Sequence, residues 1–99
     1  MSVIATARYV GKTTKDPDSI LFYRIDWTDW LEGDSIYGNV WSVTGGLVIV
    51  PGSASVVGNV VRVKISGGTL GTLATLTSRM TSTGFETEDA TIALRIVSH

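Results

Sequence analysis

Hydrophobic and polar residues alternate along much of the chain. Between positions 21 and 27, the apolar series is Leu21, Tyr23, Ile25 and Trp27, and the residues between them are Phe22, Arg24, Asp26. Successive side chains of a β-strand point to opposite faces of its sheet, so this spacing predicts a strand with one buried face.

Similar alternation returns further along the chain. It is clear at 61–65, 74–80 and 90–97, and weaker at 4–10, 36–43 and 47–50. No window repeats apolar residues at helical spacing. Turn-forming residues such as Gly45-Gly46 and Pro51-Gly52-Ser53 separate the segments. The pattern predicts six or seven short antiparallel strands forming an all-β sandwich, with a single closed barrel as the alternative.

Apolar residues of these strands, together with the indole rings, are the expected core. They are Tyr23, Ile25, Trp27, Trp30, Leu31, Trp41, Val63, Ile65, Leu76, Ile92 and Leu94. Trp27, Trp30 and Leu31 are expected to close one end of the sandwich. Leaving an indole exposed would forfeit about 2–3 kcal/mol.

One segment departs from the β pattern. Residues 28–32 predict a single helical turn, with Asp29 as N-cap and Glu32 at capping-box spacing. Gly33 suits a left-handed ending of that turn.

The first fifteen residues are more polar and less patterned than the rest. We expect residues 1–15 to form an N-terminal arm and residues 16–99 to form the domain. Such an arm can pair with the edge of its own domain or, by strand addition, with the edge of a neighbour.

Composition removes several function classes. The 99 residues suffice for one domain, and with no cysteine there are no disulfides or thiolate metal sites. Eight basic and nine acidic residues give a net charge of −1, so neither nucleic acid nor an anionic membrane is an expected partner. The apolar runs are far shorter than the ~20 residues of a membrane helix, and no signal peptide is recognisable. We expect a soluble protein made in the cytosol.

Candidate chemistry is sparse. Asp26, Asp29, Glu32 and Asp34 lie within nine residues, but their spacing does not fit a calcium-binding loop, so capping, bend and solvent roles are expected. The glycine-rich stretch 66–71 lacks the Lys-Ser/Thr of a phosphate-binding loop and predicts a turn between strands. With His99 as the single histidine, at the last position, we expect no catalytic residue, no metal and no cofactor.

A few apolar residues are candidates for interface contacts. Alternation places Phe22, Tyr37 and Tyr9 on outer faces, and Val3 and Ile4 lie in the predicted arm. Interface anchoring is one interpretation. The other is that bends turn these side chains inward, or that they are scattered surface apolar residues.

Several motifs together resemble a known family. They are Lys15-Asp16-Pro17-Asp18, Tyr23-x-Ile25-Asp26-Trp27-x-x-Trp30-Leu31, Gly33-Asp34-x-Ile36, Trp41-x-Val43, Gly46-Leu47-x-Ile49, Ser66-Gly67-Gly68-Thr69-x-Gly71, Thr75-Leu76-Thr77-x-Arg79-Met80 and Glu88-Asp89-x-Thr91-Ile92. From Lys15 onward the chain resembles the fiber-tail adaptor proteins of tailed bacteriophages. It departs at Ala74, where similar proteins often carry tyrosine, and at Ser78, where asparagine is common.

The resemblance implies an immunoglobulin-like virion structural protein, made in the host cytoplasm. It would be present in several copies, as a homo-oligomer or otherwise, and would join other virion proteins of the tail, neck or capsid without catalysis. Two alternatives remain open. One is a capsid cement or head-decoration protein, and the other is a carbohydrate-binding module with Tyr37 and Phe22 as its aromatic platform.

Overall fold

The computed structural model describes residues 8–10, by backbone alone, and residues 14–98. This part of the chain contains nine strands and one short helix. Their bounds are β1 (Arg8–Val10), β2 (Thr14–Lys15), β3 (Leu21–Asp26), α1 (Thr28–Leu31), β4 (Ile36–Val43), β5 (Leu47–Ile49), β6 (Ser55–Val57), β7 (Val60–Gly67), β8 (Leu73–Ser82) and β9 (Thr87–Ile96).

The strands form two sheets. The first has the order β1-β3-β7-β5, with β6 also paired to β7, and the second has the order β2-β9-β8-β4. The prediction of an all-β sandwich is confirmed, and α1 lies within the segment predicted to be helical. One pairing differs from the antiparallel expectation, because β2 runs parallel to β9. The described strands outnumber the predicted six or seven because β1 and β2 are very short and one edge strand is split.

Cross-strand pairs build the core from both sheets. In the first sheet Tyr23 lies opposite Val63, and in the second Leu76 lies opposite Ile92. All four side chains belong to one buried cluster. Each side chain of this kind contributes about 1.5–3 kcal/mol when it leaves water, so the alternation seen in the sequence is the main determinant of which faces meet.

All but one of the residues expected in the core are at most 5% exposed. They are Tyr23, Ile25, Trp27, Trp30, Leu31, Val63, Ile65, Leu76, Ile92 and Leu94. Trp41 is only partly buried and packs against the cluster from β4. Within the described residues β4 pairs with β8 alone, so it is an edge strand, and its inward residues are less covered than those of the central strands.

A kink separates β5 from β6, the two short strands that pair in succession with β7 at the edge of the first sheet. Before the kink, the Val50 amide donates to the Lys64 carbonyl at 3.0 Å. Pro51 then removes a backbone donor. The hydroxyl of Ser53 accepts from the Lys64 amide at 3.1 Å and donates to the Val50 carbonyl at 2.6 Å. The serine side chain thus replaces a backbone partner, and pairing with β7 resumes at β6.

Asp26, and not Asp29, organises the start of α1. The N-cap residue, Trp27, makes no capping hydrogen bond with its side chain, and Asp29 lies inside the helix. Asp26 Oδ1 accepts from the amide of Thr28 at 2.9 Å and from its hydroxyl at 2.5 Å. The predicted capping role of Asp29 is therefore wrong. The left-handed ending comes at Glu32, with φ of 50°, one residue before the predicted Gly33.

The helix and its N-cap residue bury apolar side chains at one end of the sandwich. Trp27 and Trp30 meet edge to face, with ring centroids 5.8 Å apart, and Leu31 is buried beside them in the core cluster. The indole N–H of Trp27 donates to Ser78 Oγ at 3.4 Å, and that hydroxyl donates to Asn39 Oδ1. Ser78 therefore connects the buried indole to β4.

The turn between β4 and β5 passes directly over Ala74. A Cβ placed on Gly45 would lie 2.5 Å from Ala74 Cβ, and the φ of Gly45 is +70°. Ala74 itself is fully buried. Glycine at 45 and alanine at 74 fit each other, and a large side chain at 74 has no room while this turn keeps its path.

Candidate interaction surfaces

The outer side of the first sheet carries an exposed phenylalanine surrounded by positive charge. We call the side chains of Phe22, Arg24, Arg62 and Lys64 the Phe22 face. Phe22 is 43% exposed. Arg62 Cζ lies 3.7 Å from the centroid of its ring, and Lys64 Nζ lies 4.8 Å from it. These cation–π contacts fix the guanidinium position and contribute about 0.5–1 kcal/mol each at an exposed site.

A shallow pocket lies beside this ring. It has a volume of about 290 Å³ and is lined by Arg24, Val57, Val60 and Arg62. Arg24 and Arg62 are directly opposite each other on β3 and β7. Like charges in this register destabilise a sheet. Within residues 14–98 no carboxylate forms an ion pair with either arginine, since the ion pair found there joins Arg79 and Asp89. The pocket therefore presents two positive groups flanked by apolar walls.

A second aromatic site lies at the edge of the other sheet. Tyr37 and Phe85 meet edge to face with ring centroids 5.3 Å apart, and they are 68% and 72% exposed. A bulge in the β4–β8 pairing falls at Tyr37, and Phe85 has a φ of 62° in the β8–β9 turn. The sequence analysis missed Phe85. An aromatic residue directly after the Thr83-Gly84 turn was the available signal.

The two exposed aromatic sites do not form one platform. Phe22 is on β3 of the first sheet, and Tyr37 is on β4 of the second. Tyr37 meets Phe85 edge to face, and Arg62 covers part of Phe22. The structure does not bring together the two rings that a carbohydrate-binding platform would need.

The remaining interface candidates lie at the N-terminus. Val3 and Ile4 fall outside the described residues, and so does the side chain of Tyr9. The backbone of β1 pairs antiparallel with β3, with Tyr9 opposite Ile25.

The described residues contain no cluster that suggests metal binding. In residues 14–98 no group of three or more His, Cys, Asp or Glu side chains is placed to hold an ion. The four carboxylates at positions 26–34 are not gathered around one point: Asp26 binds Thr28, and a Cβ on Gly84 would meet Asp34 Oδ2 at 3.1 Å. His99 lies outside the described residues. No helix in the described ranges is long and apolar enough to cross a membrane.

Lys15 is a fully buried cation that the sequence analysis assigned to the polar arm. Its ammonium donates to the carbonyls of Asp16 at 3.0 Å, Ser19 at 2.6 Å and Gly67 at 2.5 Å. Burial lowers the pKa of Lys15 below its ordinary value, against the opposing attraction of the Asp16 and Asp18 carboxylates. Three carbonyl partners make the residue a structural tie between β2 and the end of β7.

Comparison with known proteins identifies the family. A family model described as podophage GP4 fiber-tail adaptor protein gp77 matches residues 15–95. The match begins at the buried Lys15 and includes every element from β3 to β8. No curated protein sequence matches the chain significantly. Since the matched segment covers most of its length, the chain belongs to the podophage fiber-tail adaptor family and is a structural adaptor protein of a phage tail.

Proposed function

We propose that the chain is a non-catalytic adaptor that joins tail or neck components of the virion by protein–protein contacts, in several copies per particle. The observation that carries this proposal is the presence of two chemically different exposed aromatic sites on opposite sheets. An adaptor needs two separate contact surfaces. The Phe22 face is cationic, whereas the Tyr37–Phe85 pair is uncharged.

The energetics support contact roles for both sites. Exposed aromatic rings are enriched among the few interface residues that carry most of the binding free energy. Covering one such ring stabilises a complex by about 2 kcal/mol, which corresponds to roughly 30-fold in Kd. Phe85 and Tyr37 are the most exposed aromatic side chains in residues 14–98, so they are the proposed anchor for another virion protein.

The sheet orders support an immunoglobulin-like assignment. That fold places strands A, B, E and D in one sheet and C, F and G in the other. Assigning β1, β3, β7 and β5 to A, B, E and D reproduces the first sheet, and assigning β4, β8 and β9 to C, F and G reproduces the second. We therefore propose that the adaptor is built on an immunoglobulin-like sandwich.

The arm is the second part of the proposal. Residues 1–15 would pair with a neighbouring subunit. β1 lies along β3, and β2 lies along β9. Strand exchange reuses between copies the pairings that one copy makes within itself, so these two edges are the proposed receiving sites.

Binding to tail particles tests the aromatic anchor. Purified chain would be titrated onto tails from phage lacking it, comparing wild type with Phe85→Ser and Tyr37→Ser. We expect each variant to bind on the order of 30-fold more weakly while its thermal unfolding is nearly unchanged. Leu70→Ser is the matched control, because Leu70 is exposed and lies in the β7–β8 loop. Wild-type affinity in both aromatic variants would rule out this anchor.

Truncation tests the arm. Deleting residues 2–14 retains Lys15 and should leave a folded β domain, verified by circular dichroism, that no longer joins virion components. Normal assembly of the truncated protein would exclude the arm from the adaptor contact.

A further inference from the structure

The Phe22 face carries three positive charges that no ion pair within the described residues neutralises, and the Asp26 carboxylate lies on the same side of β3, two residues from Arg24. Three of the chain's eight basic residues, Arg24, Arg62 and Lys64, lie on it. None forms an ion pair with a carboxylate in residues 14–98. Arg24 and Arg62 face each other at a cost in sheet stability. A carboxylate between them would relieve that repulsion and gain two charge-assisted hydrogen bonds.

The chain also carries a complementary surface. The α1 loop, residues 29–34, lies at the end of the sandwich and contains three exposed carboxylates, among them Glu32 and Asp34, beside the buried Trp30 and Leu31. Within the described residues neither Glu32 nor Asp34 forms an ion pair. Hydrogen bonds between Thr83 and Ser35 tie the following segment to the β8–β9 turn, so the loop has a firm base.

We propose that the pocket between Arg24 and Arg62 binds a carboxylate from the α1 loop of a second copy of this chain. With a net charge of −1, two copies repel each other only weakly overall, while the separated basic and acidic surfaces attract. Phe22 and the pocket valines supply apolar contact around the charged pair. Packing of Arg62 on the Phe22 ring holds its guanidinium in place before binding, which lowers the entropy cost of docking.

The pocket and the loop are different surfaces of the chain, so the contact can close as a reciprocal two-fold dimer or continue head-to-tail into a ring or a chain. The Tyr37–Phe85 pair stays available for another virion protein. This inference concerns the purified chain alone and goes beyond the proposed adaptor contact.

Sedimentation velocity of the full chain at low and high salt tests the inference. We expect oligomers at about 50 mM NaCl and their dissociation at about 500 mM, because added salt shortens the Debye length and screens the attraction between exposed charges. Arg62→Glu and, independently, Arg24→Glu should weaken association at least tenfold. Arg95→Glu is the control: it makes the same change in net charge on the outer face of the second sheet. Circular dichroism melting verifies that each variant folds.

Mixing two variants gives the sharpest outcome. Both variants carry neutral replacements, so that the altered surfaces do not attract each other: Arg62→Gln has a weakened basic face but keeps its α1 loop, whereas Glu32→Gln has a weakened loop but keeps the basic face. Each alone should be monomeric, and an equimolar mixture should form heterodimers and nothing larger. A monomeric wild type at low salt, unaltered association of the Arg62 and Arg24 variants, or a mixture that stays monomeric would each overturn the inference. None of these results alters tail binding through Phe85, which is measured separately.

Discussion

Replacing Lys15 with methionine isolates the contribution of the buried ammonium. Methionine keeps much of the unbranched apolar stem and removes the charged group. The carbonyls of Ser19 and Gly67 then lose donors at 2.6 and 2.5 Å. The carbonyl of Asp16 loses less, because it also accepts from the amide and the hydroxyl of Ser19.

The expected change in the free energy of unfolding follows from two opposing effects. Leaving two partly buried acceptors without this donor costs up to about 1–3 kcal/mol each. Removing a buried cation returns part of its desolvation penalty. We expect Lys15→Met to lower the free energy of unfolding by about 2–4 kcal/mol, measured by urea denaturation at pH 7. Lys64→Met makes the same substitution on an outer face and should cost no more than about 1 kcal/mol.

The pH dependence provides a second test of the same residue. Because burial lowers the pKa of folded Lys15, there is a pH window below its unfolded value in which the folded protein has released the proton and the unfolded chain retains it. In that window the free energy of unfolding rises with pH. The stability advantage of wild type over Lys15→Met should therefore widen from neutral pH toward 10.5. Equal stability of Lys15→Met and Lys64→Met at neutral pH would refute the tie between β2 and β7.

Two further predictions concern the turn over the core and the outer face of the second sheet. Gly45→Ala should lower the free energy of unfolding in urea by about 2–5 kcal/mol, because the new Cβ would lie 2.5 Å from Ala74 and φ at this position is +70°. Gly52→Ala is the control: φ is +75° but the space is open, so the loss should be only about 1–2 kcal/mol. Equal losses would contradict the close approach of Gly45 to Ala74. Arg79 lowers the pKa of Asp89 through two hydrogen bonds, at 2.8 and 3.0 Å, so Arg79→Gln should return that pKa toward its ordinary value in an NMR titration. In the wild type, any stabilisation by the pair should be lost as the pH falls through the depressed pKa of Asp89. An Asp89 pKa that does not change in the variant would contradict the pairing.

Alternation predicted the core because burial of one face is the dominant free-energy term in a sheet. Tyr23, Ile25 and Trp27 occupy alternate positions and are all buried. Trp41 has the same spacing but less cover, since its strand lies at an edge. Edge position depends on which strands pair at long range, and local periodicity carries no information about that.

The surfaces were less predictable than the core. In the sequence, Lys15 belongs to a polar, unpatterned segment. In the structure, its ammonium donates to the carbonyl of Gly67, which is 52 residues away in the chain. Phe22 and Tyr37 are exposed, as alternation predicted. Their partners are distant in the sequence: Arg62 on β7 packs on Phe22, and Phe85 in the β8–β9 turn meets Tyr37. These side-chain contacts depend on which strands pair and in which register, and the sequence pattern alone did not specify either.

Photo-cross-linking in assembled virions tests the adaptor function most directly. A photoreactive benzoylphenylalanine would replace Phe85, which is exposed and already aromatic. The same residue at position 70 serves as the control. We predict that irradiation links position 85, and not position 70, to a tail or fiber protein identified by mass spectrometry. Cross-links from position 85 to the major capsid protein alone would contradict an adaptor contact in the tail.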